Sequence, residues 1–134
     1  MDLQVEIDGK VFDIEIKNFI SSRWKENLDK MMSFDAVAKN ETFTAGQLFN
    51  DIVAFKKGAN KRYIFMPDIE ASADDVLDHI ADLMLTGKNS KNLQSAFELT
   101  GISRKDWDIK VKSILTKMKD EKFIEINSLE NLIL

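Results

Sequence analysis

The 134-residue chain contains no cysteine and a single histidine, His79. Without cysteine there is no disulfide, no thiolate zinc site and no cysteine nucleophile. A single histidine also excludes metal sites that need several histidines. We find no nucleophile motif, paired acid and base, metal cage or cofactor loop in the sequence. We therefore expect no catalytic residues, no metal and no cofactor, and predict that the protein is not an enzyme.

Proline and glycine are scarce, with one Pro and five Gly. The glycines are scattered in the manner of turn and cap residues and form no phosphate-binding loop. No apolar run approaches the roughly 20 residues of a membrane span, and the acidic, alternating N-terminus is unlike a signal peptide. We expect a soluble cytoplasmic protein that does not bind membranes.

The net charge of −4 argues against a protein that binds nucleic acid over its whole surface. The charge is nevertheless uneven. Residues 86–122 contain nine Lys and Arg against five Asp and Glu, whereas residues 1–85 contain ten against sixteen. A basic C-terminal patch therefore belongs to an otherwise acidic chain.

The first residues predict a β-hairpin, because apolar and polar residues alternate on both sides of the turn signal Asp8-Gly9. Pairing around this turn places Val5 opposite Phe12 and Leu3 opposite Ile14, so that one face is apolar and the other acidic. A two-stranded ribbon is marginal alone, and we expect the next helix to cover the apolar face. The apolar stripe of that helix is Ile20, Trp24, Leu28, Met31 and Met32.

Thr44 and Gln47 have the spacing of a capping box, which predicts a helix that begins there and ends at Gly58. Residues 63–66 are short, aromatic and wholly apolar, and predict a buried strand.

Ser72 with Asp75 three positions on predicts the start of a helix that continues to about Leu85. Its predicted buried side is Val76, Leu77, Ile80, Leu83 and Met84. Residues 91–100 then predict a short second helix. The Asp residues of the first helix are explained by its start and by a solvated face, and His79 is best interpreted as a partnered or surface histidine.

The C-terminal stretch predicts a tight turn between two helices. Gly101 suits the left-handed position that ends one helix, and Ser103 can cap the next, a long amphipathic helix from Arg104. Its apolar stripe is Trp107, Val111, Ile114, Leu115 and Met118, and much of the remainder is Arg104, Lys105, Lys110, Lys112, Lys117 and Lys119. Residues 123–126 and 132–134 flank turn residues and predict a small hairpin.

With the helix before Gly101, this order of elements resembles a winged helix-turn-helix module over residues 71–134. The predicted fold class is α+β. An N-terminal part over residues 1–70, a β-hairpin with helices, precedes a winged-helix-like unit of three helices and a short β-hairpin.

The resemblance implies that the second helix of the turn motif enters the major groove of double-stranded DNA. Nearest the bases would be Ser103, Arg104, Lys105 and Asp108, and the implied phosphate contacts are Lys91, Lys110 and Lys112. Asp106 and Asp108, and a wing without Arg or Lys, oppose this interpretation. The basic face is also what an ordinary solvated helix shows.

Two functions therefore remain open. The first is a DNA-binding transcription regulator, which the basic helix favours slightly. The second is a non-enzymatic interaction or assembly factor that uses the winged helix as a protein-binding scaffold. A protein partner or a homodimer is possible in either case, and in the first the N-terminal part would dimerise or sense the partner. A further basic cluster around Gly58, formed by Lys56, Lys57, Lys61 and Arg62, could hold phosphates but is better explained by the dipole of a helix C-terminus.

Overall fold

The computed structural model describes residues 2–18, 23–32, 36–37, 42–43, 46–66, 71–86 and 100–126. The strands are β1 (Asp2–Ile7), β2 (Lys10–Asn18), β3 (Ala36–Val37), β4 (Thr42–Phe43), β5 (Lys61–Met66) and β6 (Ile124–Ile126). The helices are α1 (Trp24–Met31), α2 (Gln47–Lys56), α3 (Ala73–Thr86) and α4 (Trp107–Asp120). The protein is thus a mixed α and β structure, as the sequence predicts.

Four strands form one sheet in the order β1-β2-β5-β6, and β3 pairs with β4 separately. The β1–β2 pair is antiparallel, whereas β2–β5 and β5–β6 are parallel. The chain passes from β2 to β5 and from β5 to β6, each time to the next strand in the same direction across the sheet. Because crossovers between parallel strands are right-handed, the helices of both connections lie on the same face of the sheet. In agreement, side chains of the helices α1, α2, α3 and α4 share one core with Tyr63 and Phe65 of β5.

The predicted hairpin is confirmed with its register. Asp8 and Gly9 have φ of 51° and 78°, and Leu3 lies opposite Ile14 and Val5 opposite Phe12. These positive φ values are the ones that a two-residue turn between twisted strands requires. The local sequence therefore determines this element.

Gly9→Val is expected to lower the free energy of unfolding by about 1 to 2 kcal/mol, because a β-branched residue resists positive φ. A Cβ at Gly9 would meet no atom within 4 Å, so the cost arises in the backbone alone. Urea unfolding followed by circular dichroism measures it. Gly9→Asn is the control, since Asn tolerates this conformation, and equal losses in the two variants would contradict the explanation.

The prediction that α1 covers the apolar face of the hairpin is wrong. Glu15 lies beside Tyr63 in the parallel pair, so the acidic side of β2 shares the face that carries the helices. Lys17 compensates Glu15 at 3.1 Å and donates to the side chain of Gln47 in α2 at 2.9 Å. Instead, α1 packs on α2 and α3. Ile20 lies outside the described residues.

Strand β5 is buried on both faces at residues 63–65, which confirms the predicted buried strand over these residues. Tyr63 and Phe65 face the helices, while Ile64 faces the other side with Ile14 and is likewise buried. The Tyr63 hydroxyl donates to Asp51 of α2, which also pairs with Lys61. Strands inside parallel sheets are commonly covered on both faces, and the uninterrupted apolar run of β5 is typical of such strands.

The two predicted helix starts have different outcomes. Helix α2 begins two residues later than Thr44 implies, with Gly46 at the N-cap and no side-chain cap, and Thr44 lies outside the described residues. At α3, Ser72 and Asp75 form a reciprocal capping box: Asp75 N donates to Ser72 Oγ at 3.1 Å, and Ser72 N donates to Asp75 Oδ2 at 2.9 Å. The α3 prediction is therefore confirmed.

The proposed division between residues 70 and 71 stays a prediction, although the main sheet and the core extend across it. Strand β6, from the second part, pairs in parallel with β5, from the first. The predicted hairpin partner of β6, residues 132–134, and most of the predicted helix over 91–100 lie outside the described residues.

Candidate functional site

The turn that leads into α4 exposes several of the predicted binding residues. Thr100 is helical, and Gly101, which follows it, has φ of 70° as predicted. Ser103 Oγ then accepts from Asp106 N at 3.4 Å and donates to its carboxylate at 3.1 Å. Because residues 104–106 form a turn, α4 begins at Trp107, three residues later than the sequence predicts. Arg104 and Lys105 thus precede the helix.

Trp107 fixes α4 against α3. Its side chain is 0% exposed, and its indole Nε1 donates to the backbone oxygen of Met84, near the end of α3, at 2.8 Å. At the opposite end of the pair, Lys119 Nζ lies 3.7 Å from Asp74 Oδ1. The two helices are therefore antiparallel, and the predicted stripe of α4 packs into the core with only Leu115 partly exposed.

The predicted nucleic-acid contacts are exposed but do not form one surface. Exposed are Ser103, Arg104, Lys105, Asp108, Lys110 and Lys112, while Lys91 lies outside the described residues. At 3.6 residues per turn, Lys110 and Lys112 point about 160° apart around the α4 axis. The basic helix therefore presents two separate flanks, and each flank has its own neighbours.

On the Lys110 flank, basic side chains bind backbone oxygens of this chain. Lys117 Nζ donates to Phe55 O at 3.3 Å and lies 4.5 Å from the centre of the Phe55 ring. Lys56 Nζ donates to Thr100 O at 3.4 Å. Both oxygens belong to helix C-terminal turns, where cations are favoured. These contacts support the structural interpretation of the cluster around Gly58.

On the other flank, α3 and α4 enclose an open groove of about 560 Å³, named here the α3–α4 groove. Its floor is apolar and formed by Leu77, Ala81 and Leu115. Asp74 and Asp78 line the α3 wall, and Lys112, Thr116 and Lys119 line the α4 wall. One acidic wall and one basic wall therefore flank an apolar strip.

The charges of the two walls remain accessible. The Asp74 and Lys119 side chains that form the one ion pair described across this groove are 66% and 67% exposed. Pairs this exposed contribute little to stability because water and salt screen them. The walls are thus free to interact with a partner.

The groove was not predicted from the sequence, because the start of α3 and a solvated face already explain its aspartates. The available signal was the spacing of Asp74 with Asp78, and of Lys112 with Lys119, which puts each pair on one side of its own helix.

His79 makes structural contacts with α1. Its Nε2 lies 2.8 Å from Asp29 Oδ1 of α1, and its ring meets Trp24 edge to face at 5.7 Å between centroids. A second cavity beside it, of about 410 Å³, is lined by Asp75, Asp78 and Asp82. Even so, in the part of the chain that the structure describes, no group of three or more His, Cys, Asp or Glu residues could hold a metal ion.

Comparisons with protein-family models, curated proteins and solved structures find no match to this chain. Among the described helices, none has the length and apolar character needed to cross a membrane.

Proposed function

We propose that this protein is a non-enzymatic interaction or assembly factor, and that it binds protein through the α3–α4 groove. The observation that carries the proposal is the apolar floor of Leu77, Ala81 and Leu115 between walls of opposite charge. Protein interfaces combine an apolar centre with a polar rim in this way, and the rim charges select the partner and its orientation.

The same surface is a poor match for nucleic acid. Binding to a duplex draws most of its affinity from cations that neutralise phosphates, and the cations must lie on a continuous surface. Lys112 shares its groove with Asp74 and Asp78, whose carboxylates would repel a phosphate placed between the walls. The α3–α4 groove therefore favours a partner that carries both charges.

A second candidate is a transcription regulator that binds double-stranded DNA through a winged-helix C-terminal part. It is favoured by the exposed turn with Arg104 and Lys105 just ahead of α4. In this proposal Ser103, Arg104, Lys105 and Asp108 contact bases, Lys91, Lys110 and Lys112 contact phosphates, and residues 123–126 and 132–134 form the wing.

The two proposals predict opposite effects of Asp78→Lys. If the groove binds protein, a partner recovered with the wild type should bind again as a purified protein, and Asp78→Lys should weaken that binding at least about tenfold through like-charge contact. If the protein binds DNA, added positive charge should preserve or strengthen duplex binding, which should fall steeply with salt. Isothermal titration and mobility shifts at two salt concentrations measure these effects.

Asp120→Lys is the matched control, because it makes the same charge change on an exposed residue of α4 that does not line the groove. Loss of partner binding in Asp78→Lys alone supports the groove. Salt-dependent duplex binding that Arg104→Ala and Lys110→Ala weaken, with protein binding unchanged in Asp78→Lys, would overturn the proposed function in favour of the second candidate.

A further inference from the structure

We infer that the α3–α4 groove packs face to face against the same groove of a second copy of this chain. The protein is then a two-fold symmetric dimer. This inference rests on the proposed function and names the partner. Its basis is the distribution of charge between the two walls, which is complementary to itself under one particular symmetry operation.

The symmetry follows from the antiparallel arrangement of the helices. A two-fold axis parallel to α3 and α4 places α3 of one copy over α4 of the other, and the reverse at the symmetry-related position. Asp74 and Asp78 of each copy then face Lys112 and Lys119 of the other copy, so the contact occurs twice. An axis perpendicular to the helices would instead set Asp against Asp and Lys against Lys, which is unfavourable.

The floor of the groove supports the same arrangement. Leu77, Ala81 and Leu115 lie between the charged walls and would form the apolar centre of the interface. Ile109 is 73% exposed on α4, one turn before Lys112, and adds an apolar side chain beside the basic wall. Dimer formation would cover this apolar strip and leave the exposed turn at Arg104 and Lys105 outside the interface.

The experiment uses two charge reversals that should each prevent self-association. In Asp78→Lys, the new lysine faces Lys112 of an identical partner, and in Lys112→Glu, the new glutamate faces Asp78. Each reversal acts twice across the two-fold axis, so the dissociation constant of the dimer, measured by sedimentation equilibrium, should rise at least about tenfold.

Mixing the two variants should restore association. In the mixed dimer, the lysine at position 78 faces the glutamate at position 112, while Lys112 of the first chain faces Asp78 of the second. We therefore expect a mixed dimer with an affinity within about threefold of the wild type. A single chain carrying both changes should also form a homodimer. Lys110→Glu and Asp120→Lys, outside the groove, should leave the wild-type mass unchanged.

A monomeric wild type at all accessible concentrations, or single variants that remain dimeric, would overturn the inference. So would a mixture that stays monomeric. If a variant does not fold, filtered nuclear Overhauser contacts in a mixed-labelled wild-type sample replace it, and they should join Leu77 of one copy to Leu115 of the other. A monomer whose groove still binds a different protein refutes the dimer alone, whereas duplex binding without any protein partner refutes the proposed function as well.

Discussion

Trp107→Ala is expected to lower the free energy of unfolding by about 3 to 5 kcal/mol, as large-to-small core substitutions of tryptophan do. The Trp107 side chain is 0% exposed and lies in the core shared by the helices and the sheet. Its removal leaves a cavity and also deprives Met84 O of the indole donor at 2.8 Å. A buried carbonyl that loses a hydrogen-bond donor costs about 1 to 3 kcal/mol.

The total stability of a domain of this size is about 5 to 15 kcal/mol, so this substitution removes a large part of it. Urea unfolding followed by circular dichroism measures the loss. Trp107→Phe separates the two causes, because it keeps an aromatic ring but lacks the N–H donor. Its cost should be clearly smaller than that of Trp107→Ala.

Ser113→Ala provides the matched surface control on the same helix. Ser113 is exposed and does not line the α3–α4 groove, and substitutions at such sites usually change stability by no more than about 0.5 kcal/mol. An unfolding midpoint that Trp107→Ala leaves unchanged would show that Trp107 is not an anchor between α3 and α4, and the geometry of the groove would then lose its support.

The elements predicted correctly from the sequence are those that short-range rules determine. The turn at Asp8-Gly9 fixes the register of the hairpin, and the reciprocal bonds of Ser72 and Asp75 fix the start of α3. The apolar stripe of α4 follows from helical spacing, and Trp107 is buried as that spacing predicts. In each case the residues that determine the element lie close to one another in the chain.

The sheet could not be predicted in the same way, because its pairings join distant parts of the chain. Tyr63 lies between Glu15 and Ile124, and both pairings are parallel. Apolar alternation in the hairpin gives two distinct faces but does not say which face meets the helices. That choice depends on the direction of the crossovers, and the contact of Lys17 with Glu15 allows the acidic side to face inward.

The candidate site shows the same limit. The sequence identifies exposed basic residues on α4, but Lys112 acquires its acidic neighbours from α3, more than thirty residues earlier. The spacing of residues in a helix predicts the face on which each side chain lies. It does not predict which other helix packs beside that face, and therefore the pairing of the two charged walls emerges only from the fold.

Gly46→Ala is the second substitution expected to have a large effect, although the backbone at this residue is ordinary. Gly46 has φ of −60° and ψ of 155°, which any residue adopts. A Cβ at this position would lie 2.2 Å from Met31 O and 2.8 Å from Lys30 O. These are backbone oxygens of the last turn of α1, so no rotation of a side chain can relieve the clash.

The close approach has a physical cause, because the N-terminus of α2 carries positive partial charge and the last carbonyls of α1 carry negative partial charge. Alanine would push the two helix ends apart and disturb the packing of Leu28 in α1 with Leu48 and Phe49 in α2, all 0% exposed in one core. We expect a loss of about 3 kcal/mol, the upper part of the range for overpacking. Urea unfolding measures it.

Gly58→Ala is the control for the backbone contribution. Gly58 has φ of 102° and no atom within 4 Å of an added Cβ, so its substitution should cost about 1 to 2 kcal/mol through conformation alone. At a glycine without a clash and with ordinary φ, alanine would stabilise by about 0.4 to 1 kcal/mol because the unfolded chain loses freedom. A neutral or stabilising Gly46→Ala would therefore show that α1 and α2 do not meet at this distance, whereas a loss larger than that of Gly58→Ala identifies the contact between the helix ends as its cause.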